Sequence, residues 1–261
     1  MPLIRVARRI RNYYRRNIGR VLFRQAVTID SDLPLISFTF DDFPRTALLG
    51  GGSILARRGL AGTYYVSLGL LDKESPSGPI CTVDDLRALL AEGHELGCHT
   101  YSHCNAWDTA SEAFEDSVLK NRAELAKLIP GAAFKSFSYP LSEPRALSKL
   151  KTARHFLSCR GGGQKFNSGK ADLARLSAFF LEKSRDNMKA VRDLIDQNRK
   201  ARGWLIFATH DVCEDPSPYG CTPQFFEDVV QHAIGSGARI LPVVEAAKAL
   251  SNGGTRRGGV H

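Results

Sequence analysis

The sequence predicts an α/β domain built from parallel strand–helix units. From residue 35 onward, short runs rich in β-branched and aromatic residues alternate with helical segments, as they do in parallel βα units. The chain has 261 residues, of which 43% are hydrophobic, and this is enough to bury one large core. Eight candidate strands come close to the number that closes a barrel.

The candidate strands and helices alternate along the chain. We predict strands at 35–40, 62–66, 94–98, 134–139, 155–159, 175–180, 204–210 and 238–243. We predict helices at 82–92, 111–129, 186–200 and 223–234. The first helix begins with Thr82, has Asp85 three residues later and ends at Gly93, which is the pattern of a capping box and a glycine terminus.

Residues 1–30 differ from the rest of the chain in charge. The net charge is +9, and residues 1–24 contain eight arginines and no acidic residue, so the remainder is close to neutral. Apolar residues recur there at steps of three and four, namely Leu3, Val6, Ile10, Tyr14, Ile18 and Val21. We therefore predict a basic amphipathic helix as an extension at 1–30, a main domain at 31–250 and a flexible glycine-rich tail at 251–261.

The apolar face of the extension has more than one possible partner. Either it packs on the body of the protein or on a second subunit, or it adsorbs to an anionic membrane surface. Arginines interrupt every apolar run near the start of the chain, so we predict a cytoplasmic protein, either free or peripheral on the inner face of the membrane. Because the basic residues are confined to the extension, we expect no nucleic-acid partner.

Two adjacent carboxylates, Asp41 and Asp42, close the first predicted strand of the main domain. Neighbouring acids at the end of a buried strand repel one another unless one binds a cation or the two have different roles. The sequence therefore points to a metal ion at this strand end, and strand ends are where barrels present their active-site residues.

Three histidines also follow predicted strands. His99 and His103 are four residues apart, and on the first turn of a helix their imidazoles would face the same way and could hold one metal ion. Two hydrogen-bonded structural histidines are the alternative. Asp42 would complete a set of two histidines and one carboxylate with positions open for water and substrate. His210 ends a later apolar strand and is either a structural group or a general acid.

Together, TFDD at 39–42, HTYSH at 99–103 and the apolar strand ending in His210 resemble the polysaccharide deacetylases of carbohydrate esterase family 4. The resemblance covers roughly residues 35–250. It implies a distorted (β/α) barrel with about seven parallel strands, one divalent metal ion such as zinc, and removal of an acetyl group from an N-acetylated sugar. It further implies roles for five residues: Asp41 as general base, Asp42, His99 and His103 as metal ligands, and His210 as general acid.

The sequence departs from this family pattern near the base. Tyr139 and Leu141 belong to the segment that resembles the family's oxyanion loop, where Leu141 replaces a frequent aromatic residue. Ser138 stands where the family has the arginine that holds the base. We therefore expect another cation, Arg160, to hold Asp41.

Other candidates are less tightly tied to the motifs. Asp172 and Glu182 are the candidates for the acid that orients His210. Arg45 follows the metal ligand closely, and either meets a phosphate or carboxylate of the substrate or is a solvated surface residue. The turn-rich loop at 213–221 is expected to cover the site.

These residues predict a metal-dependent N-deacetylase. Its expected substrate is an acetylated amino sugar of a polysaccharide or of a nucleotide- or lipid-linked glycan precursor. A deformylase or another amidase is an alternative, because the metal centre fixes the reaction type but not the acyl group. A carbohydrate-binding relative that has lost turnover is the non-enzymatic alternative.

Overall fold

The computed structural model describes residues 17–29, 31–141, 143–185 and 187–253. Its strands, numbered in chain order, are β1 (Ala26–Ile29), β2 (Leu35–Phe40), β3 (Thr63–Val66), β4 (Glu74–Ser75), β5 (Gly78–Pro79), β6 (Glu95–Cys98), β7 (Ser136–Ser138), β8 (Ser158–Arg160), β9 (Gly169–Asp172), β10 (Phe179–Phe180), β11 (Trp204–Thr209) and β12 (Arg239–Ile240). Eight of these form one sheet in which every pairing is parallel.

The large sheet is a curled half-barrel. Seven strands follow the order β10–β11–β2–β3–β6–β7–β8, and β12 pairs with the start of β2. The two edges approach each other, because Leu176 donates to the Cys159 carbonyl at 2.8 Å and Gly161 donates to the Leu176 carbonyl at 2.9 Å. The expected distorted barrel with about seven parallel strands is thereby confirmed.

The helices lie around this sheet. They are α1 (Ser53–Ala56), α2 (Val83–Ala91), α3 (Ser111–Leu128), α4 (Ala146–Ala153), α5 (Met188–Ala201), α6 (Pro223–Gly235) and α7 (Val243–Gly253), and a π-helical turn at Ala47–Gly52 leads into α1. All four predicted helices are present. The capping box of α2 is also present, because Asp85 N donates to Thr82 Oγ1 at 3.1 Å while Thr82 N donates to Asp85 Oδ2 at 2.8 Å.

Alternation along β2 determines which side chains enter the barrel. Ile36, Phe38 and Phe40 belong to the large core cluster, whereas Leu35 belongs to a second cluster around Trp204. Trp204 Nε1 donates to Ser37 Oγ at 3.0 Å, so Ser37 shares the face of Leu35. Side chains alternate with a period of two along a strand, so residues 35, 37, 39 and 41 lie on the same side. Asp41 therefore extends the face of Leu35 and Ser37 beyond the end of β2.

The extension is described only from residue 17 onward. Residues 17–21 are helical, and the remainder of the predicted basic helix lies outside the described residues. Residues 26–29, which were assigned to the extension, form β1 and pair antiparallel with β9. Of the predicted tail, 251–253 continue α7 and the rest lies outside the described range. Among the described residues, none of the helices combines the length and the hydropathy needed to span a bilayer.

Candidate active site

Asp41 is buried beneath the site and contacts Arg160. Arg160 Nη2 donates to Asp41 Oδ1, and the guanidinium lies 4.7 Å from the centre of the Tyr65 ring. Burial alone would raise the pKa of Asp41, but the positive charge of Arg160, with contributions from His99 and His210, outweighs it and lowers the pKa. Asp41 is therefore held ionised, and the contact expected between Arg160 and Asp41 is present.

Asp42, His99 and His103 converge in the way that a metal site requires. Their ligand atoms all lie within 4.8 Å of one another. Asp42 Oδ1 is 3.5 Å from His99 Nε2 and 3.1 Å from His103 Nε2. This oxygen is buried and, among the described residues, has no hydrogen-bond partner. A buried, unpaired carboxylate oxygen facing two imidazole nitrogens fits a divalent cation such as zinc.

The ring of His99 is oriented by the strand next to it. Its Nδ1 lies 2.8 Å from the Ser138 carbonyl, which can only accept, so Nδ1 carries the proton and Nε2 presents its lone pair towards Asp42. Burial lowers the pKa of His99 to about 4, which favours the neutral, ligating form. Ser138 thus contributes its backbone carbonyl to the site.

The prediction that His99 and His103 share a first helical turn is wrong. Residues 99–103 form an irregular loop, and α3 begins only at Ser111. Thr100 and His103 have positive φ values of 62° and 52°. These left-handed conformations replace the helical turn and bring the two imidazole rings to a centroid separation of 5.0 Å. The loop stores backbone strain at the candidate metal site.

The same strain occurs at the other corners of the site. Asp42 has a φ of 61° and Leu141 a φ of 64°, a region that non-glycine residues enter rarely. At Asp42 the turn sends this carboxylate towards the histidines, whereas Asp41 continues into the barrel. The two neighbouring acids therefore occupy separate environments, one facing Arg160 and one facing the imidazoles.

His210 lies at the end of β11, with Nε2 4.0 Å from Asp42 Oδ2. Its Nδ1 is 3.2 Å from the Tyr219 carbonyl, so a backbone oxygen occupies the position expected for an orienting acid. Asp172 is not that acid, because its Oδ2 binds Lys149 Nζ at 2.6 Å. Glu182 lines the same cavity. Among the described residues, however, it does not accept a hydrogen bond from His210.

Asp211 fixes the loop that presents the Tyr219 carbonyl. Its buried carboxylate accepts from the backbone N–H of Ser217 at 2.7 Å and from the Ser217 hydroxyl. Ser217 Oγ in turn accepts from Tyr219 N at 3.1 Å. A Cβ at Gly220 would lie 2.4 Å from the Asp211 carboxylate, so only glycine allows this close approach. Asp211 is a positioning residue for His210.

Replacing Asp211 with alanine is expected to lower the turnover of amide substrates by about tenfold to a hundredfold, short of the full contribution of a general acid. The reason is that the Tyr219 carbonyl loses its fixed place beside His210. An aryl acetate, whose leaving group needs no proton, should be affected much less. Metal content should be unchanged. Glu214→Ala, an exposed change in the same loop, is the control. Equal losses on both substrates would contradict this positioning role.

The expected oxyanion loop lies at the rim of the cavity, but only part of it offers a donor. Tyr139 N donates to the Arg160 carbonyl at 2.9 Å and is therefore engaged. The next residue, Pro140, has no N–H. Among the described residues the Leu141 N–H has no protein partner, so it is the candidate donor of this loop. The side chain of Leu141 is 70% exposed.

Arg45 does not reach the cavity. Its Nε donates to Asp85 Oδ2 at 2.9 Å and its Nη2 donates to Asp85 Oδ1 at 3.3 Å. Asp85 is itself fixed by the capping box of α2, so this carboxylate holds the guanidinium at the surface. Of the two roles considered for Arg45, this contact fits that of a surface residue.

Most of the predicted site residues line one cavity of about 560 Å³, namely Asp41, Asp42, His99, His103, Tyr139, Leu141 and His210, whereas Arg45 and Arg160 do not. Sequence reasoning missed most of its walls. Those walls include Leu70, Ser75, Pro76, Ser77, Ile80, Glu143, Phe180, Lys183 and Tyr219. Lys183 follows closely after β10, so its position beyond a strand end could have identified it as a candidate. The short β4–β5 hairpin carries no comparable signal. The expectation that the loop after His210 covers the site is met by Tyr219.

A family model for polysaccharide deacetylase matches residues 29–155. The matched range includes Asp41, Asp42, His99 and His103 and ends before His210. No curated protein sequence gives a significant match to the chain.

Solved structures share the fold at low identity. The Xyl-CE4 domain of a multidomain xylanase from the hindgut metagenome of Trinervitermes trinervoides is 16% identical, with a TM-score of 0.57 over 85% of this chain and 92% of the other. A family 4 acetyl xylan esterase from Clostridium thermocellum, in complex with a cobalt ion, is 18% identical, with a TM-score of 0.53 over 82% and 90%. A family 4 pseudoenzyme from Bacillus anthracis is 11% identical, with a TM-score of 0.55 over 84% and 66%. Residues 29–155 therefore match the polysaccharide deacetylase family, and the chain has the fold of the family 4 carbohydrate esterases.

Proposed function

We propose that this protein removes the N-acetyl group of an amino sugar by hydrolysis, with one divalent ion, zinc, held by Asp42, His99 and His103. One observation carries the proposal: three ligand side chains, an ionised carboxylate and a further histidine converge at one end of a single cavity. An arrangement of this kind matches the parts needed for metal-assisted amide hydrolysis.

Each residue has a distinct task in this reaction. When bound, the metal polarises the acetamide carbonyl and lowers the pKa of a bound water. Asp41, kept ionised by Arg160, accepts the proton of the attacking water. The Leu141 N–H donates to the oxygen that becomes negative. His210, oriented by the Tyr219 carbonyl, donates a proton to the leaving amine.

The cavity supports a sugar as the substrate. Its volume of about 560 Å³ lies in the range of small-molecule sites. Phe180 and Leu70 offer apolar surface for the carbon face of a sugar ring, while Glu182 and Lys183 offer polar groups for its hydroxyls. One carboxylate oxygen of Glu182 is buried and, among the described residues, unpaired. It is available to accept from a substrate hydroxyl or amide.

Release of acetate from N-acetylated chitooligosaccharides by the zinc-loaded protein is the expected result. The measurement is enzymatic detection of acetate beside formate, with N-formylated substrates run in parallel. Formate release alone would favour the deformylase alternative. Retention of zinc and binding of the sugar without release of either acid would favour a non-catalytic relative and contradict the proposal.

We place this reaction in the cytoplasm. The six cysteines support this location, because all are free thiols, including Cys213 and Cys221 in the loop beside His210. The acetylated amino sugar would then be met before export, as part of a glycan precursor.

A further inference from the structure

The end of the extension is seated on the main domain by polar contacts. Lys149, which is fully buried, donates from Nζ to the Gly19 carbonyl at 3.1 Å and the Leu22 carbonyl at 2.9 Å, and pairs with Asp172. Asp172 Oδ1 also accepts from Gln25 N at 2.9 Å. The backbone of this segment is thus held against α4 and β9, and these contacts use none of its apolar side chains.

The apolar residues of this segment are only partly buried. Ile18 is 47% exposed, Val21 70%, Leu22 44% and Phe23 41%. We call these four residues the apolar patch. A segment that served to complete the protein's own core would bury such side chains, because their burial is the driving force for packing. Here polar contacts hold the segment in place, and among the described residues a large part of its hydrophobic surface stays exposed.

The segment that carries the apolar patch reaches the mouth of the catalytic cavity through Arg20. Arg20 Nη2 is 3.7 Å from Glu143 Oε1, and the Glu143 carboxylate also binds Arg175. Glu143 and Leu141 both line the cavity, and Leu141 adds a further exposed apolar side chain at its rim. Whatever covers the apolar patch is therefore brought next to the entrance of the site.

We infer that the apolar patch docks on an anionic lipid surface and presents the cavity to an acetylated amino sugar carried on a lipid. The charge of the segment favours a lipid surface over a second copy of the chain. Residues 1–24 contain eight arginines and no acidic residue, so they attract anionic headgroups and would repel the same segment of another copy. The identity of the substrate rests on the proposed function, whereas the lipid surface does not.

The test compares vesicle binding and turnover in full-length variants. Ile18→Gln/Val21→Gln removes apolar surface from the patch without changing charge, and Leu119→Gln/Ile234→Gln is the matched control, altering exposed side chains on α3 and α6. Wild type and control should sediment with vesicles of phosphatidylglycerol and phosphatidylcholine, less so at high salt. The patch variant should bind about tenfold or more weakly, because less apolar area is buried.

Turnover separates this inference from the proposed function. Both variants should match wild type on a soluble chitooligosaccharide, while the patch variant alone should lose activity on an N-acetylglucosaminyl lipid held in the vesicles. Unchanged vesicle binding by the patch variant would overturn the inference. So would a dimer that the patch substitutions dissociate, because a second copy would then be the occupant. If neither wild type nor the variants release acetate, the proposed function fails. Vesicle binding would still show whether the apolar patch docks on a lipid surface.

Discussion

His103→Ala is expected to abolish stoichiometric metal binding and acetate release. His103 is one of the three proposed metal ligands, and its Nε2 lies 3.1 Å from Asp42 Oδ1, which has no hydrogen-bond partner among the described residues. The His99→Ala/His103→Ala double variant should behave in the same way. Metal content after dialysis and acetate release by the same sample are the measurements.

His155→Ala is the matched control for this substitution. The side chains of His155 and His103 are both 22% exposed and both face a carboxylate, but His155 pairs with Glu115 on α3, away from the cavity. Zinc should raise the melting temperature of the wild type and of this control, because a ligand that binds the folded state stabilises it. Zinc should leave the melting temperature of His103→Ala unchanged. Stoichiometric metal in the double variant would refute the ligand set.

The parts of the site that could be predicted are those fixed by strand ends. Parallel strands direct their carboxyl ends to one rim, so the sequence could place Asp41, His99 and His210 together without knowing any loop conformation. β2 and β11 are runs of mostly apolar residues, β6 is a shorter mixed segment, and all three occur within the ranges predicted for them. The distorted barrel was implied by the resemblance to the polysaccharide deacetylases and could not be predicted from the strand patterns.

Loop geometry accounts for what could not be predicted. The helical turn expected at His99 and His103 is an irregular loop, because positive φ values at ordinary residues have no sequence signature. The sequence left Arg45 either as a substrate contact or as a surface residue, and only the fold shows its contact with Asp85. The group beside His210 Nδ1 is the backbone carbonyl of Tyr219, and no pattern of side chains in a sequence predicts such a contact.

Contacts between distant parts of the chain were also out of reach. β1 pairs with β9 although residues 30–168 separate them along the chain, and neither strand shows a strong apolar alternation. The buried Lys149 resembles any surface lysine of an amphipathic helix until the Gly19 and Leu22 carbonyls are placed around it. The contacts that hold the extension on the main domain are therefore visible only in the structure.

Asp41→Asn is expected to lower the turnover of acetylated amino sugars by at least about a hundredfold while leaving metal content unchanged. Asparagine keeps the shape of the side chain and an oxygen that can accept from Arg160, so the buried contact retains a partner. What it loses is the negative charge and the capacity to accept a proton from water. Steady-state turnover and metal content of one preparation are the measurements.

The neighbouring substitution Asp42→Asn is the matched control, because it makes the same chemical change one residue along the chain. Asp42 faces the two imidazoles, and Asp41 faces Arg160. Removing the charge of Asp42 should therefore release the metal, whereas removing the charge of Asp41 should not. If Asp41→Asn loses metal, or if Asp42→Asn keeps metal and loses only turnover, the two carboxylates have the opposite roles. The different environments of these adjacent acids would then need another explanation.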